Sequence, residues 1–454
     1  MTDRTGKPIH DPGCLSLWQK IARIPWCVPV ILAGGCLLLF LTFNMHSRTG
    51  IFNYHSEIWG DKAGYYVYLP AAFIYSFDAS RFPSGIDSLT GNGFKLDPAS
   101  KKVFTKYTCG VALMMAPFFL VTHGLTGILD APANGFSLPY HRMIGIAAVV
   151  YLMFGLILWY RFLRNYYPRT VSLWVITFLF LGTNLYYYAV AETGMSHVYS
   201  FFLFSLYLFS SRRLFSSQKR STSWTLITAF AAAMIVVVKP VNIIFLPAAL
   251  FLDIPSGSDL RNRILLLFQW KTMLLAVLVV LIILLPQAIY WYHTYGSLMV
   301  YTYAGEGFVN LARPRVLEYL FSTNNGLLLY NPILLFGFTG LVMMLARRRS
   351  NGWILLVMLV VILYLFSSWW SWHFGCGYGN RSFTEYIALL ALPFGYLVNV
   401  IWNDQRRGRR YLFFFLVGLL IFINLKMIYS WDGCWYGGTW DWKHFGEIVF
   451  SAPK

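Results

Sequence analysis

Apolar stretches long enough to cross roughly 30 Å of hydrocarbon recur along this chain from residue 25 almost to its end, with no segment of ordinary domain size between them. A chain built this way has lipid as its main solvent. Its 454 residues are 57% hydrophobic and 12% charged, too little polar surface to clothe a soluble globule of this size. The expected fold class is an all-α polytopic membrane protein, with residues 1–454 forming a single transmembrane domain.

The charge pattern agrees. Lys and Arg number 36 against 18 Asp and Glu, a formal charge of +18. A nucleic-acid-binding protein would gather that excess on one face. Here it falls in short clusters between apolar runs, at Lys20/Arg23, Arg161/Arg164/Arg169, Arg212/Arg213/Lys219/Arg220, Arg261/Arg263/Lys271, Arg347/Arg348/Arg349 and Arg406/Arg407/Arg409/Arg410, so no nucleic-acid partner is expected. Such clusters mark cytoplasmic ends, and each is separated from the next by room for one outward and one return crossing.

The threading gives about 11 helices with the N-terminus cytoplasmic and the C-terminus outside a cell membrane. They fall at 25–45, 141–161, 170–190, 196–213, 222–239, 241–253, 272–293, 326–346, 352–371, 382–402 and 410–430. The run at 25–40 is followed by no small-residue cleavage site and reads as a retained helix. Segment 107–129 is apolar enough to span, but counting it would put Arg161, Arg164 and Arg169 outside. It is expected to lie in the outer interface or to be re-entrant. Two large outer loops remain, 46–140 and 294–325, and function is expected there. No internal repeat is visible, which weakens a secondary-transporter reading.

The first outer loop opens with Tyr54-His55-Ser56-Glu57-Ile58-Trp59-Gly60-Asp61-Lys62-Ala63-Gly64-Tyr65-Tyr66. Asp61 stands where the chain leaves lipid, and a carboxylate there can take a proton from an attacking hydroxyl, unless it is merely a solvated loop acid. The turn Glu192-Thr193-Gly194-Met195-Ser196-His197 puts two ionisable groups at the membrane edge, where they are expensive and often functional. Lys239-Pro240 interrupts an apolar run at its outer end; the ammonium can meet a phosphate as a point charge or snorkel to the interface. In the turn Gly375-Cys376-Gly377-Tyr378-Gly379-Asn380-Arg381, glycines permit close backbone approach and Arg381 offers a planar fork for phosphate oxygens, or for Glu385 one turn on. The second loop carries His293, Glu306, Arg313 and Arg315 without fixing a role for any. The aromatic stretch from Trp431 to Trp442 suits an interfacial belt or a sugar. Six cysteines show no metal-binding spacing, and Cys376 and Cys434 both fall outside, where a disulfide is allowed.

A first transmembrane helix, an acidic residue just after it on the outer side, a Tyr/Leu-rich helix start and then a second apolar interfacial helix form an order that resembles the GT-C glycosyltransferases. These use polyprenyl-phosphate sugars and include protein O-mannosyltransferases and aminoarabinose transferases. The resemblance implies Asp61 as the catalytic carboxylate, Lys239 and Arg381 on the donor phosphate, and Glu192 near the acceptor or a metal. His197, Tyr65, Tyr378 and His293 join the expected substrate-binding set. The implied partners are a polyprenyl-phosphate-linked sugar, membrane lipids, and a glycan, lipid or protein acceptor whose hydroxyl attacks with inversion. A divalent cation is chemically reasonable at Asp61 or Glu192, although no spacing requires one. Two other functions stay open: a transporter or flippase for a lipid-linked or anionic solute, and an O-antigen ligase or polymerase-like enzyme.

Overall fold

The computed structural model describes residues 27–47, 50–216, 221–254, 256–303, 305–431 and 441–450. The chain is a multi-pass membrane protein and mostly helical. Among the described residues, five helices are long and apolar enough to cross a bilayer: Pro29–Ser47, Leu138–Leu163, Trp270–Tyr295, Arg381–Trp402 and Arg407–Ser430. A sixth candidate is the pair Arg169–Leu181 and Asn184–Val190, bent by 69°. The other expected spans also fall on helices. Of these, Thr222–Val238, Pro240–Phe251, Leu334–Ala346 and Gly352–Ser367 have only 10–17 residues, so among the described residues five or six candidates carry the length and apolarity of a full crossing.

Two expected spans are broken, each for a local reason. At Asn331-Pro332 the proline lacks an N–H and disfavours helical backbone in the residue before it. The chain there splits into Leu327–Tyr330 and Leu334–Ala346. At Gly182-Thr183 the helix ends and restarts, with the Thr183 side chain accepting from the Leu185 N–H. The breaks meet and satisfy one another: Asn331 Oδ1 accepts from the Asn184 N–H at 2.6 Å, and Asn184 Nδ2 donates to the Asn380 carbonyl at 3.2 Å. Irregular backbone is thus paired inside the protein, and the residue before Arg381 is anchored to it.

Segment 107–129 contains the helix Gly110–Leu125, whose 16 residues span about 24 Å. Gly110, Val111, Met115 and Phe119 are buried, while Leu120, Val121 and Leu125 are exposed. The loop before it is itself folded, through helices Asp61–Tyr66 and Tyr68–Phe73 and a two-stranded antiparallel ribbon that pairs Lys95 with Phe104. That ribbon departs from the all-α expectation. The second loop packs back on the first through Lys106, whose ammonium lies 2.7 Å from Glu306 and whose carbonyl accepts from the Thr302 hydroxyl at 2.6 Å. Cys376 is in a disulfide; Cys434 and residues 432–440 of the aromatic stretch lie outside the described residues.

Helices Leu334–Ala346 and Ile387–Trp402 approach so closely that a Cβ on Gly340 would stand 1.9 Å from the Pro393 carbonyl oxygen. Backbone cannot give way as a side chain can. Gly340→Ala is expected to destabilise the protein by about 1–3 kcal/mol, seen as a lowered thermal midpoint in detergent. Gly337→Ala, whose Cβ would meet Leu390 at an ordinary 3.4 Å, should leave the midpoint near that of the parent.

Candidate active site

The first turn after the opening helix places Asp61 at the N-terminus of Asp61–Tyr66. Glycines let the loop fold onto this turn; a Cβ on Gly93 would lie 1.7 Å from the Gly60 carbonyl oxygen. Asp61 Oδ2 lies 2.9 Å from Arg381 Nη1, and Oδ1 accepts from the Tyr107 hydroxyl. The carboxylate remains about one-third exposed and the guanidinium about one-quarter. Burial would raise the Asp61 carboxyl, but Arg381, the Tyr107 hydroxyl and nearby Lys106 outweigh it and hold it below the usual carboxylate range. Asp61 is therefore an ionised base at neutral pH. Burial pushes the phenols of Tyr107, Tyr65 and Tyr303 upward, so each keeps its proton and can act only as a donor or a neutral wall.

A second ion pair stands beside the first. Lys239, at the end of Thr222–Val238, lies 2.8 Å from Glu385 Oε1; the same oxygen accepts from Asn242 Nδ2 at 3.2 Å, and His197 Nδ1 lies 2.8 Å from Oε2. Glu385 is fully buried. A third pair joins Lys62 to Glu192 at 3.0 Å. Deeper in the first loop, Glu57 lies 3.2 Å from His141 and 3.9 Å from His46. Burial would raise its carboxyl, but the His141 hydrogen bond and His46 prevail and hold it at about 2.

Of the residues expected from sequence, Asp61 and Arg381 touch, Lys239 and His197 converge on Glu385, and Glu192 meets the residue after Asp61. Tyr65 is buried beside them, its ring 4.3 Å from that of Tyr107 and its hydroxyl 3.5 Å from Ser196 Oγ. Two do not join. Tyr378 is fully buried, with its hydroxyl spent on Asn424 Oδ1 at 3.0 Å; the left-handed glycine turn around it directs the ring into the core. His293 is exposed at the end of Trp270–Tyr295, its ring 6.5 Å from that of Phe77. The pairing of Arg381 with Glu385 does not form, because residues Arg381–Tyr386 make a 3₁₀ helix. Side chains there align at three residues, not four, which turns Glu385 toward Lys239.

Sequence reasoning overlooked Tyr107, Lys62 and Lys106 and treated Glu385 only as a partner for Arg381. The available signal was position. Each stands at the margin of an apolar run, where a polar group needs a partner.

Four of the site's acids are each committed to a lysine or arginine of the chain: Asp61 to Arg381, Glu192 to Lys62, Glu306 to Lys106 and Glu385 to Lys239. A divalent ion would have to displace one of them, and no group of three or more His, Cys, Asp or Glu among the described residues is arranged to hold a metal. Paired in this way, these donors do not fit such an ion.

Breaking the second pair has a measurable cost. Glu385→Gln leaves the Lys239 ammonium without its counter-charge and should lower stability by about 3 kcal/mol, read as a fall in the thermal midpoint of the purified protein.

Among solved structures, the chain is similar to archaeal oligosaccharyltransferase AglB from Archaeoglobus fulgidus, solved in complex with an inhibitory peptide and a dolichol-phosphate. The match has a TM-score of 0.51 at 13% identity and covers 91% of this chain and 56% of that one. It is also similar to ArnT from Cupriavidus metallidurans bound to undecaprenyl phosphate, at a TM-score of 0.49 and 12% identity, over 89% of this chain and 64% of that one. The chain thus spans less than two-thirds of the length of either. No protein-family model and no curated protein matches it. The likeness to AglB is one of fold, and the fold is GT-C, as the order of elements in the sequence led us to expect.

Proposed function

We propose that this protein is a membrane glycosyltransferase that moves a sugar from a polyprenyl-phosphate donor to an acceptor hydroxyl, with inversion. The observation that carries the reading is the Asp61 carboxylate, ionised, partly open, and held 2.9 Å from a guanidinium at the margin of the helical bundle. The shared fold of AglB, a protein solved with a dolichol-phosphate, supports a lipid-linked donor. The charges stand where such a donor's phosphate could meet them: Lys239 follows the last turn of one helix, and His197 and Arg381 open two others.

In the proposed reaction the donor phosphate draws Arg381 from Asp61 and Lys239 from Glu385, so that two cations face its oxygens. Freed of its counter-ion, Asp61 accepts the proton of the acceptor hydroxyl. The acceptor oxygen bonds to the anomeric carbon from the face opposite the phosphate. The carbon–oxygen bond to phosphate breaks, and polyprenyl phosphate leaves with the bonding electrons, stabilised by the same two cations. Glu192 orients the turn through Lys62, beside the acceptor path.

Asp61→Asn removes the base while retaining shape. It should reduce release of polyprenyl phosphate from polyprenyl-phosphate sugars by at least about 10²-fold, with donor binding retained; turnover like that of the parent would end the proposal. The pH profile is a separate check. With Asp61 held low by Arg381 in the free enzyme, the base form is lost only as pH falls below the ordinary aspartate value of about 3.9. Once the phosphate takes Arg381 away, the carboxyl rises, so the acid limb of kcat should lie at higher pH than that of kcat/KM.

A further inference from the structure

The bundle holds a second charged chamber, at the far ends of helices that also reach the candidate active site. His197 lies in the first turn of Ser196–Ser216 and Arg212 in its last turns, roughly 22 Å away along the axis. Beside Arg212, the side chains of Asp253, Asp259, Asn262, Arg263 and Gln269 line a cavity of about 610 Å³. That volume falls within the range of small-molecule sites.

The helix Gly257–Phe268 roofs this cavity with an unusual face. Asp259, Asn262, Arg263 and Leu266 follow one another at three- and four-residue spacing and line the chamber, together with Gln269 just past the helix end. Leu265 and Phe268, on the other side, are 53% and 73% exposed, and Trp270 beyond them is 66% exposed. A helix on a water-soluble surface is built the other way, apolar side inward. This one turns its polar side to the cavity, while its outer side carries Leu265 and Phe268 with Arg261 one turn before them, a mix suited to the rim of a bilayer. Arg263 holds it in place, donating to the carbonyls of Ala249, Leu250, Leu252 and Asp253 at 3.0, 2.9, 2.7 and 3.0 Å.

The charges in the lining set the ligand. Two guanidiniums, Arg212 and Arg263, stand with two carboxylates, Asp253 and Asp259, and Arg212 and the Tyr166 hydroxyl both bond to Asp253. An anionic head would meet the carboxylates and a purely cationic one the guanidiniums. We propose that this chamber binds the zwitterionic headgroup of an ethanolamine glycerophospholipid. Its phosphodiester lies against Arg212 and Arg263, its ammonium against Asp259, and its acyl chains run along the outer apolar side of Gly257–Phe268.

The test is native mass spectrometry of the full-length protein purified with an equimolar mixture of ethanolamine and glycerol phospholipids. The parent is expected to retain the ethanolamine lipid over the glycerol lipid by about tenfold. Asn262→Trp, which fills the chamber from an exposed helix position, should abolish that retention. Asp259→Lys, which replaces the ammonium partner with a cation, should reverse the preference toward the anionic lipid. Thermal midpoints and size-exclusion profiles confirm that both variants are folded. Equal retention of the two lipids by the parent, a parent preference for the glycerol lipid, or undiminished retention in a folded Asn262→Trp protein would overturn the assignment.

Discussion

A lone carboxylate or guanidinium is expensive beside a bilayer, and each becomes tolerable only with the other. The contact between Asp61 and Arg381 meets that requirement with partners from distant parts of the chain. One opens the folded first loop and the other opens the helix Arg381–Trp402, so the pair fixes the loop against the bundle. The two helix breaks at Thr183 and Asn331 serve the same end, because they hold Asn380 and thereby set where the guanidinium begins. Tyr107 then bonds to the carboxylate from the start of the next apolar helix. Loops, breaks and charges are arranged around one electrostatic need.

The first of these features was readable from sequence. Asp61, Glu192, Lys239 and Arg381 stand out because charged residues at the edges of long apolar runs are rare and must be matched. Their partners were not readable, since pairing depends on backbone geometry that residue types do not announce. Glu385 sits four residues after Arg381 and would pair with it on an α-helix; the tighter helical turn formed there sends it to Lys239 instead. Tyr378 drew notice for its glycine-rich setting, and that same setting turned its ring inward. Helix positions followed from apolar runs, whereas helix lengths did not, because Pro332 and Gly182 interrupt two runs that hydropathy alone joins.

The acid–base pairs at Asp61, Glu192, Glu306 and Glu385 each cancel internally. Charges closed into such pairs cast little field into the surrounding water, so soluble anions are only weakly drawn in, and salt has little to screen. What such a site can do is exchange: an internal carboxylate gives up its cation when a competing anion is already alongside. That favours a ligand delivered by lateral diffusion within the membrane over one captured from solution.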